Sequence, residues 1–232
     1  MSLLEIRGLN KKFGNKQVLK NIDLSIEKGH IVGLLGPNGS GKTTLIKLLN
    51  GLLCPDTGSI MIDGHCPGIE TKRIVSYLPD KLSLPDWMNS AGAIDYFKDF
   101  YNDFDEISAH EMMYKLNIDM DQSIKSLSKG TKEKLQLILT MSRRAKLYLL
   151  DEPIGGVDPA TRDYIIHTII SNYSPESSVI ISTHLISDVE QILDKVLFLK
   201  EGEIVLDGDV ESLRDENGKS IDELFREVFR CY

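Results

Sequence analysis

The sequence predicts an α/β fold with a mostly parallel core sheet, an antiparallel β portion near the N-terminus and a helical insertion. Three observations carry this prediction. Short apolar runs at residues 31–35, 147–150 and 178–183 are typical of buried parallel strands. Residues 4–7 and 19–26 alternate apolar and polar side chains, as half-buried antiparallel strands do. From residue 81 to 146 strand signals disappear and helix-period segments take their place.

These changes in pattern predict two structural units. Residues 1–80 and 147–232 form the core with its N-terminal antiparallel portion, and residues 81–146 form a helical subdomain inserted into it. Helices are predicted in three parts of the insertion and once after it, at about 88–101, 106–117, 131–143 and 159–172.

Shorter patterns predict the structure of three other segments. Residues 59–63 and 74–78 are predicted strands, and residues 65–72 are predicted to be a polar loop. In the tail, five apolar side chains share one helix face, which either packs on its own domain or contacts a partner: Ile221, Leu224, Phe225, Val228 and Phe229.

Composition limits the class of protein. A chain of 232 residues with 41% hydrophobic and 27% charged residues is ordinary for a globular protein. Its formal net charge of −8 argues against nucleic acid or an anionic membrane as the main partner. Glu5 and Arg7 argue against a signal peptide, and no run approaches the roughly 20 apolar residues of a membrane span, so a cytoplasmic protein is expected. Cys54, Cys66 and Cys231 lack metal-ligand spacing and are expected to be free thiols.

The phosphate-binding pattern G-x-x-x-x-G-K-[ST] occupies residues 36–43, between a predicted strand and a predicted helix. Its glycines let backbone N–H groups approach phosphate oxygens, and the helix N-terminus attracts the same anion. Lys42 can reach the β- and γ-phosphates, and Thr43 offers a hydroxyl to Mg²⁺. The alternative is a glycine turn that binds nothing. The predicted nucleotide-binding residues of this segment are Gly36, Pro37, Asn38, Gly39, Ser40, Gly41, Lys42, Thr43 and Thr44.

Acidic and aromatic residues extend the predicted site. Asp151 and Glu152 follow an apolar strand, so Asp151 can hold Mg²⁺ and Glu152 can orient or deprotonate a water molecule, unless the pair is only an acidic turn. His184 ends the next predicted strand and either shares this site or is a hydrogen-bonded structural residue. Phe13, in a polar turn, either packs on a neighbouring strand or stacks on a base.

Taken together, these residues resemble the nucleotide-binding subunit of an ATP-binding cassette (ABC) transporter, over essentially residues 3–210. In this resemblance Phe13 is the adenine-stacking aromatic, and residues 36–43 and 147–152 are the Walker A and Walker B motifs. Residues 152–158 resemble the D-loop, and His184 resembles the switch histidine. The implied catalytic residues are Glu152, His184 and Lys42.

The segment 127–132 resembles the family's Leu-Ser-Gly-Gly-Gln signature. The resemblance implies that Ser128, Lys129 and Gly130 reach across a head-to-tail dimer to the γ-phosphate bound by the other subunit. Taken by itself, the same segment is typical of a serine helix cap followed by a solvated, lysine-rich first turn. Lys129 replaces the first signature glycine and Thr131 the usual glutamine, which implies a different local backbone or an added positive charge near the phosphate.

Two further departures concern communication within the site. Asp80 stands where the family has the Q-loop glutamine, so it is a candidate Mg²⁺ ligand beside Thr43 and Asp151. Gly155 and Val157 replace the more usual serine and leucine of the D-loop.

The resemblance implies an ATPase that powers transport of an unidentified substrate through a separate integral-membrane permease, by ATP-driven closure of a homodimer or heterodimer. ATP and Mg²⁺ are the implied cofactors, nucleic acid is not an expected partner, and the expected location is the inner face of the cell membrane. The short chain and the Lys-Gly-Thr-Lys sequence resemble small bacterial export-type ATPases. The permease is expected to dock around residues 80–100, where four residues are locally apolar or else form the insertion's own core: Leu82, Leu84, Trp87 and Met88.

Two other interpretations remain open at this point. One is a soluble ABC-type ATP clamp that acts on nucleic acid or regulates a partner, against which stand the single cassette and the acidic charge. The other is a nucleotide sensor with little turnover, which Asp80 and Lys129 allow and the Glu152–His184 pair argues against.

Overall fold

The computed structural model of the protein describes residues 2–80, 84–155, 157–172 and 174–230. Its strands are β1 (Ser2–Phe13), β2 (Lys16–Glu27), β3 (Ile31–Leu35), β4 (Thr57–Ile62), β5 (Val75–Leu78), β6 (Leu147–Asp151), β7 (Ser178–Thr183), β8 (Lys195–Lys200) and β9 (Glu203–Asp209). Its helices are α1 (Lys42–Leu49), α2 (Ile69–Lys72), α3 (Ser90–Phe100), α4 (Glu106–Lys115), α5 (Lys129–Met141), α6 (Pro159–Asn172), α7 (Ile186–Val189), α8 (Val210–Asn217) and α9 (Ile221–Val228).

The core sheet has the strand order β5-β6-β7-β3-β8-β9 within the described residues, and all neighbours are parallel except the antiparallel pair β8 and β9. Strands β3, β6 and β7 are completely buried, which explains their continuous apolar runs. Asp151 pairs with Ser182, and Leu35 pairs with Thr183. The carboxyl ends of three central strands therefore meet at one edge of the sheet, where ligands bind in open α/β folds.

The N-terminal sheet is antiparallel, with the order β2-β1-β4. A turn at Gly14 and Asn15 joins β1 to β2 and leaves Phe13 paired with Lys16. Apolar residues of this sheet, such as Leu4 and Ile62, form one hydrophobic cluster with α1 and the core sheet. The predicted fold class, a mostly parallel core sheet with an antiparallel β portion, is confirmed.

Helices α3, α4 and α5 lie between β5 and β6 in the chain and contribute to a hydrophobic cluster of their own. Each begins with a side-chain cap, since Asn89, Asp105 and Ser128 accept hydrogen bonds from backbone N–H groups in their first turns. Because Ser128 is the cap, α5 begins at Lys129, two residues before the helix predicted at 131.

The C-terminal helix packs on its own domain. Ile221 and Leu224 are buried in the second cluster of the core, and Phe225 and Phe229 pack against Phe198 of β8. The apolar face of this helix is therefore covered by its own domain, which was the first of the two alternatives for the tail.

A few local expectations change. The segment predicted as a polar loop at 65–72 contains the short helix α2, in which the Thr71 hydroxyl accepts a hydrogen bond from the N–H of Gly68. Cys54 and Cys66 are exposed free thiols, and Cys231 lies outside the described residues. Across the described ranges, no helix combines the length and apolar character needed to cross a membrane.

Candidate functional site

The phosphate-binding loop connects β3 to α1, as the sequence predicts. A Cβ atom at Gly36 would lie 2.4 Å from the carbonyl oxygen of Leu199 and 2.6 Å from Ser40 Oγ, so no larger residue fits there. Gly41 caps α1 with φ at 116°, a conformation that favours glycine. Lys42 Nζ donates a hydrogen bond to the Gly36 carbonyl oxygen at 2.8 Å, which folds the ammonium group back over the loop.

A buried acid lies directly beside this loop. Asp151 is 1% exposed, and its Oδ1 accepts hydrogen bonds from Thr43 Oγ1 at 3.1 Å and Ser182 Oγ at 2.6 Å. Its Oδ2 is buried without a hydrogen-bond partner. Burial raises the pKa of Asp151 above the ordinary aspartate value, although the two hydroxyl groups oppose that change. A free, buried carboxylate oxygen beside a hydroxyl group fits a hard cation such as Mg²⁺.

Glu152 lies one residue further along and faces the loop lysine. Its φ of 53° is unusual for a non-glycine residue, and its N–H donates to both the carbonyl oxygen and the hydroxyl of Ser182. The strained backbone turns the side chain so that Oε1 lies 3.3 Å from Lys42 Nζ and Oε2 lies 3.0 Å from His184 Nδ1. His184 and Glu152 therefore share one site, as the predicted parallel pairing of their strands requires.

Lys42, Thr43, Glu152 and His184 line a cleft of about 630 Å³, whereas the buried Asp151 is not among its lining residues. Phe13 is 48% exposed and lines the cleft on the side of the antiparallel sheet, together with Lys16 and Val18. The predicted residues that line the cleft are Phe13, Asn38, Gly39, Gly41, Lys42, Thr43, Thr44, Asp80, Lys129, Glu152 and His184. Gly36, Pro37 and Ser40 belong to the same loop but are not among the lining residues.

Asp80 follows β5 and is exposed at the edge of the cleft. It also lines a smaller cavity of about 210 Å³ that reaches Asp151 and Glu152. Burial, followed by the negative charges of Asp151 and Asp80, raises the pKa of the neighbouring Tyr77 to about 12. Three carboxylates are thus gathered at one side of the site.

The segment that resembles the family signature forms the start of α5. Ser128 Oγ accepts a hydrogen bond from the Thr131 N–H at 3.1 Å and lies 2.8 Å from Thr131 Oγ1. Lys129 is exposed, lies 3.6 Å from Glu133 Oε1, and lines the cleft of its own chain. Thr131 thus completes the cap at the position where the signature usually carries glutamine.

Three residues of the site escape the sequence analysis: Ser182, Lys16 and Val18. Ser182 stands in an apolar strand two residues before His184, and only the register of β6 with β7 brings it to Asp151. Lys16 and Val18 follow Phe13 across the hairpin turn. In the sequence, the turn at Gly14 and Asn15 indicates that the residues after it lie beside Phe13.

The apolar stretch considered for permease docking divides into two kinds of residue. Met88 is buried in the cluster of the helical insertion and Leu84 packs against it. Trp87 is 80% exposed. Leu82 lies outside the described residues.

Comparisons with known proteins agree with this geometry. A model of the family described as "ABC transporter" matches residues 19–155. The chain is 33% identical over 219 residues to the ABC transporter ATP-binding protein YtrB of Bacillus subtilis (strain 168), covering 92% of this chain and 74% of that protein. It is 32% identical over 213 residues to the SkfA peptide export ATP-binding protein SkfE of the same organism, covering 89% of each chain.

A solved structure described as the ATP binding subunit of an ABC transporter superposes with a TM-score of 0.87 at 26% identity, covering 98% of this chain and 100% of that one. The likeness extends over nearly the whole chain, beyond the residues that match the family model.

Proposed function

The chain is an ATP-hydrolysing member of the ABC transporter family, and from that premise we propose that it powers transport through separate permease subunits. In this proposal two nucleotide-binding subunits close on ATP and reopen after hydrolysis. The observation that carries the proposal is the contact of Glu152 with both Lys42 and His184, beside the Thr43–Asp151 pair and within the cleft that Phe13 lines.

The binding step follows from the loop and its lining. Backbone N–H groups of the loop and the N-terminus of α1 bind the phosphates, and Lys42 supplies a positive charge to the β- and γ-phosphates. The exposed ring of Phe13 stacks on adenine. Thr43 and Asp151 would hold Mg²⁺, with Asp80 as a further candidate ligand, and the bound ion would offset phosphate charge.

In the chemical step, Glu152 orients a water molecule for in-line attack on the γ-phosphate and accepts its proton. His184 holds the Glu152 carboxylate through its Nδ1. Lys42 contacts the same carboxylate, so the base and the phosphate-binding cation are fixed relative to each other. Preorganised charges of this kind contribute most in a site that excludes water.

The second half of each site comes from a partner subunit. Ser128 and Lys129 are exposed at the N-terminus of α5, where backbone N–H groups and the helix dipole attract an anion. We infer that Ser128, Lys129 and Gly130 contact the γ-phosphate bound by the other subunit of a homodimer or heterodimer. Lys129 adds a positive charge there that a glycine does not provide.

The permease docks on the helical insertion and on α2, which places the protein at the inner face of the cell membrane. A groove of about 370 Å³ between α2 and α3 is lined by Ile69 and Phe100, and both side chains are largely exposed. Trp87, just before the start of α3, is a further exposed apolar side chain of the insertion. Exposed apolar patches of this kind mark protein interfaces. The similarity to SkfE, a peptide export ATP-binding protein, supports outward transport.

The proposal is tested by ATP hydrolysis with Mg²⁺ over a range of protein concentrations. We expect the rate to rise faster than linearly with protein, because each site needs two subunits. Glu152→Gln should abolish turnover while retaining ATP binding, whereas the matched change Glu211→Gln on the exposed face of α8 should leave the rate unchanged. Unchanged turnover in Glu152→Gln would rule out the assigned base.

A second measurement distinguishes transport from a soluble regulatory role. The chain should sediment with membranes only when its permease is co-expressed, and Trp87→Ser should weaken that association. Equal sedimentation with and without a permease would contradict the proposed docking surface.

A further inference from the structure

Helix α5 and Arg143, two residues after its end, are joined to β5 by hydrogen bonds between side chains and backbone. Ser76 Oγ donates to the Thr140 carbonyl oxygen at 2.8 Å, and Arg143 Nη1 donates to the Val75 carbonyl oxygen at 2.5 Å. Both bonds are buried, and both end on residues whose backbone the parallel sheet already fixes. They hold the C-terminal half of α5 against the strand.

One further bond reaches beyond the strand. Gln136 is 6% exposed, and its Nε2 donates to the Pro79 carbonyl oxygen at 3.1 Å. Strand β5 ends at Leu78, and Pro79 has no N–H with which to continue the ladder. Among the side-chain hydrogen bonds of the described residues, only this one reaches Pro79 or Asp80.

The bond matters because Asp80 lies among like charges. Gln136, Asp80, Asp151 and Glu152 line one cavity of about 210 Å³. Asp80 and Asp151 line the same cavity, and two ionised carboxylates in one small cavity repel each other. Without a tether, this repulsion would favour positions of Asp80 further out in solvent.

We propose that Gln136 is a positioning residue that holds Asp80 at the nucleotide cleft and links its position to helix α5. The proposal rests on the proposed function, in which Asp80 approaches Mg²⁺ and Ser128 at the start of α5 contacts a phosphate. Because one helix carries both Ser128 and Gln136, any displacement of α5 by a partner subunit moves the Pro79–Asp80 peptide as well.

The test compares Gln136→Leu with Ser76→Ala. Each removes one hydrogen bond between α5 and the β5 segment, but only the first bond reaches beyond the strand. We expect Gln136→Leu to lower kcat about fivefold, the effect of losing one hydrogen bond, with little change in KM for ATP. Ser76→Ala should lower the melting temperature and leave kcat within about twofold of the parent.

A binding readout separates positioning from loss of activity. Trinitrophenyl-ATP affinity is measured with Mg²⁺ and with EDTA, and the ratio reports how much the metal ion strengthens binding. We expect Gln136→Leu and Asp80→Ala to reduce this ratio, and the double variant to match Asp80→Ala alone. Ser76→Ala should retain the parent ratio.

Additive effects of the two substitutions, or an unchanged ratio in Gln136→Leu, would overturn the proposal. If Gln136→Leu does not fold, as judged by its melting curve, Gln136→Met keeps an unbranched side chain of similar length without the donor. The affinity measurement does not depend on turnover. A parent protein that fails to hydrolyse ATP would therefore refute the proposed function, while the ratio of affinities with Mg²⁺ and with EDTA would still decide the role of Gln136.

Discussion

Replacing Ser182 by alanine tests how the buried acid of the site is held. The hydroxyl of Ser182 donates to Asp151 Oδ1 at 2.6 Å and accepts the Glu152 N–H at 3.1 Å. The side chain is 0% exposed, so no water from bulk solvent replaces it without rearrangement. Ser182→Ala leaves Asp151 Oδ1 with the Thr43 hydroxyl as its remaining hydrogen-bond donor.

The magnitude follows from these contacts. A hydrogen bond to a buried charged group contributes about 1.5–3 kcal/mol, and the Glu152 N–H keeps its second acceptor, the Ser182 carbonyl oxygen. We therefore expect Ser182→Ala to lower the free energy of unfolding by about 2–3 kcal/mol, which lowers the melting temperature by about 4–12 °C. Loss of a group that orients a metal ligand typically costs about 10–100-fold in activity or metal affinity.

The matched control is Ser178→Ala on the same strand. Ser178 is also 0% exposed, but its hydroxyl donates to the Glu27 carbonyl oxygen at the far end of β7 from the cleft. It should cost only about 1 kcal/mol and leave turnover unchanged. Thermal melts and ATPase assays over a Mg²⁺ titration compare the two. If both variants lose equal stability and both keep the parent Mg²⁺ dependence, Ser182 does not hold Asp151 as argued.

Two further predictions concern buried acids. Burial raises the pKa of Asp151, and one of its buried carboxylate oxygens has no hydrogen-bond partner. Asp151→Asn removes this charge, so it should raise the melting temperature by about 2–4 °C for each kcal/mol of stability recovered, and it should abolish turnover. A lower melting temperature would refute this prediction. Burial opposes ionisation of Glu190, but hydrogen bonds from the Ile221 N–H and Arg214 hold its pKa below the ordinary 4.5. Its contribution to stability is therefore complete above about pH 4.5 and lost as pH falls through the lowered pKa. In denaturant unfolding, Glu190→Gln should have a lower free energy of unfolding than the parent at pH 7, and this difference should shrink below about pH 4.5. A difference that does not depend on pH would refute the prediction.

Local sequence patterns explain why the core of the fold was predictable. Gly39 and Gly41 are required by positive φ angles of 82° and 116°, which are backbone geometry set within the loop. The apolar run before Asp151 is required by burial on both faces of a parallel strand. Such features depend on neighbours in the chain, and the predicted fold class is confirmed. The assigned roles of Asp80, Lys129 and Phe13 stay predictions.

Long-range pairing explains what could not be predicted. Ser182 and Gln136 are ordinary residues in their own segments, and their partners are 31 and 57 residues away in the chain. The strands β8 and β9 form an antiparallel hairpin at the edge of the sheet and are not among the strands predicted from the sequence. The pattern of β9 is weak because half-buried residues alternate with exposed ones, whereas β8 carries a buried apolar run, Val196–Leu199, of the kind expected for a core strand.

The distribution of partners around the three carboxylates accounts for their coexistence at one edge of the sheet. Burial, and then the charges of Asp80 and Glu152, raise the pKa of Asp151, and φ of 53° at Glu152 adds backbone strain. Different elements offset these costs: β7 supplies the hydroxyl to Asp151, the phosphate loop and His184 hold Glu152, and α5 anchors the peptide before Asp80. In the proposed dimer, α5 is a support that a partner subunit can displace without breaking the central sheet, because α5 lies outside that sheet, between β5 and β6 in the chain. Movement of the insertion is therefore expected to alter the position of Asp80 before that of Asp151 or Glu152.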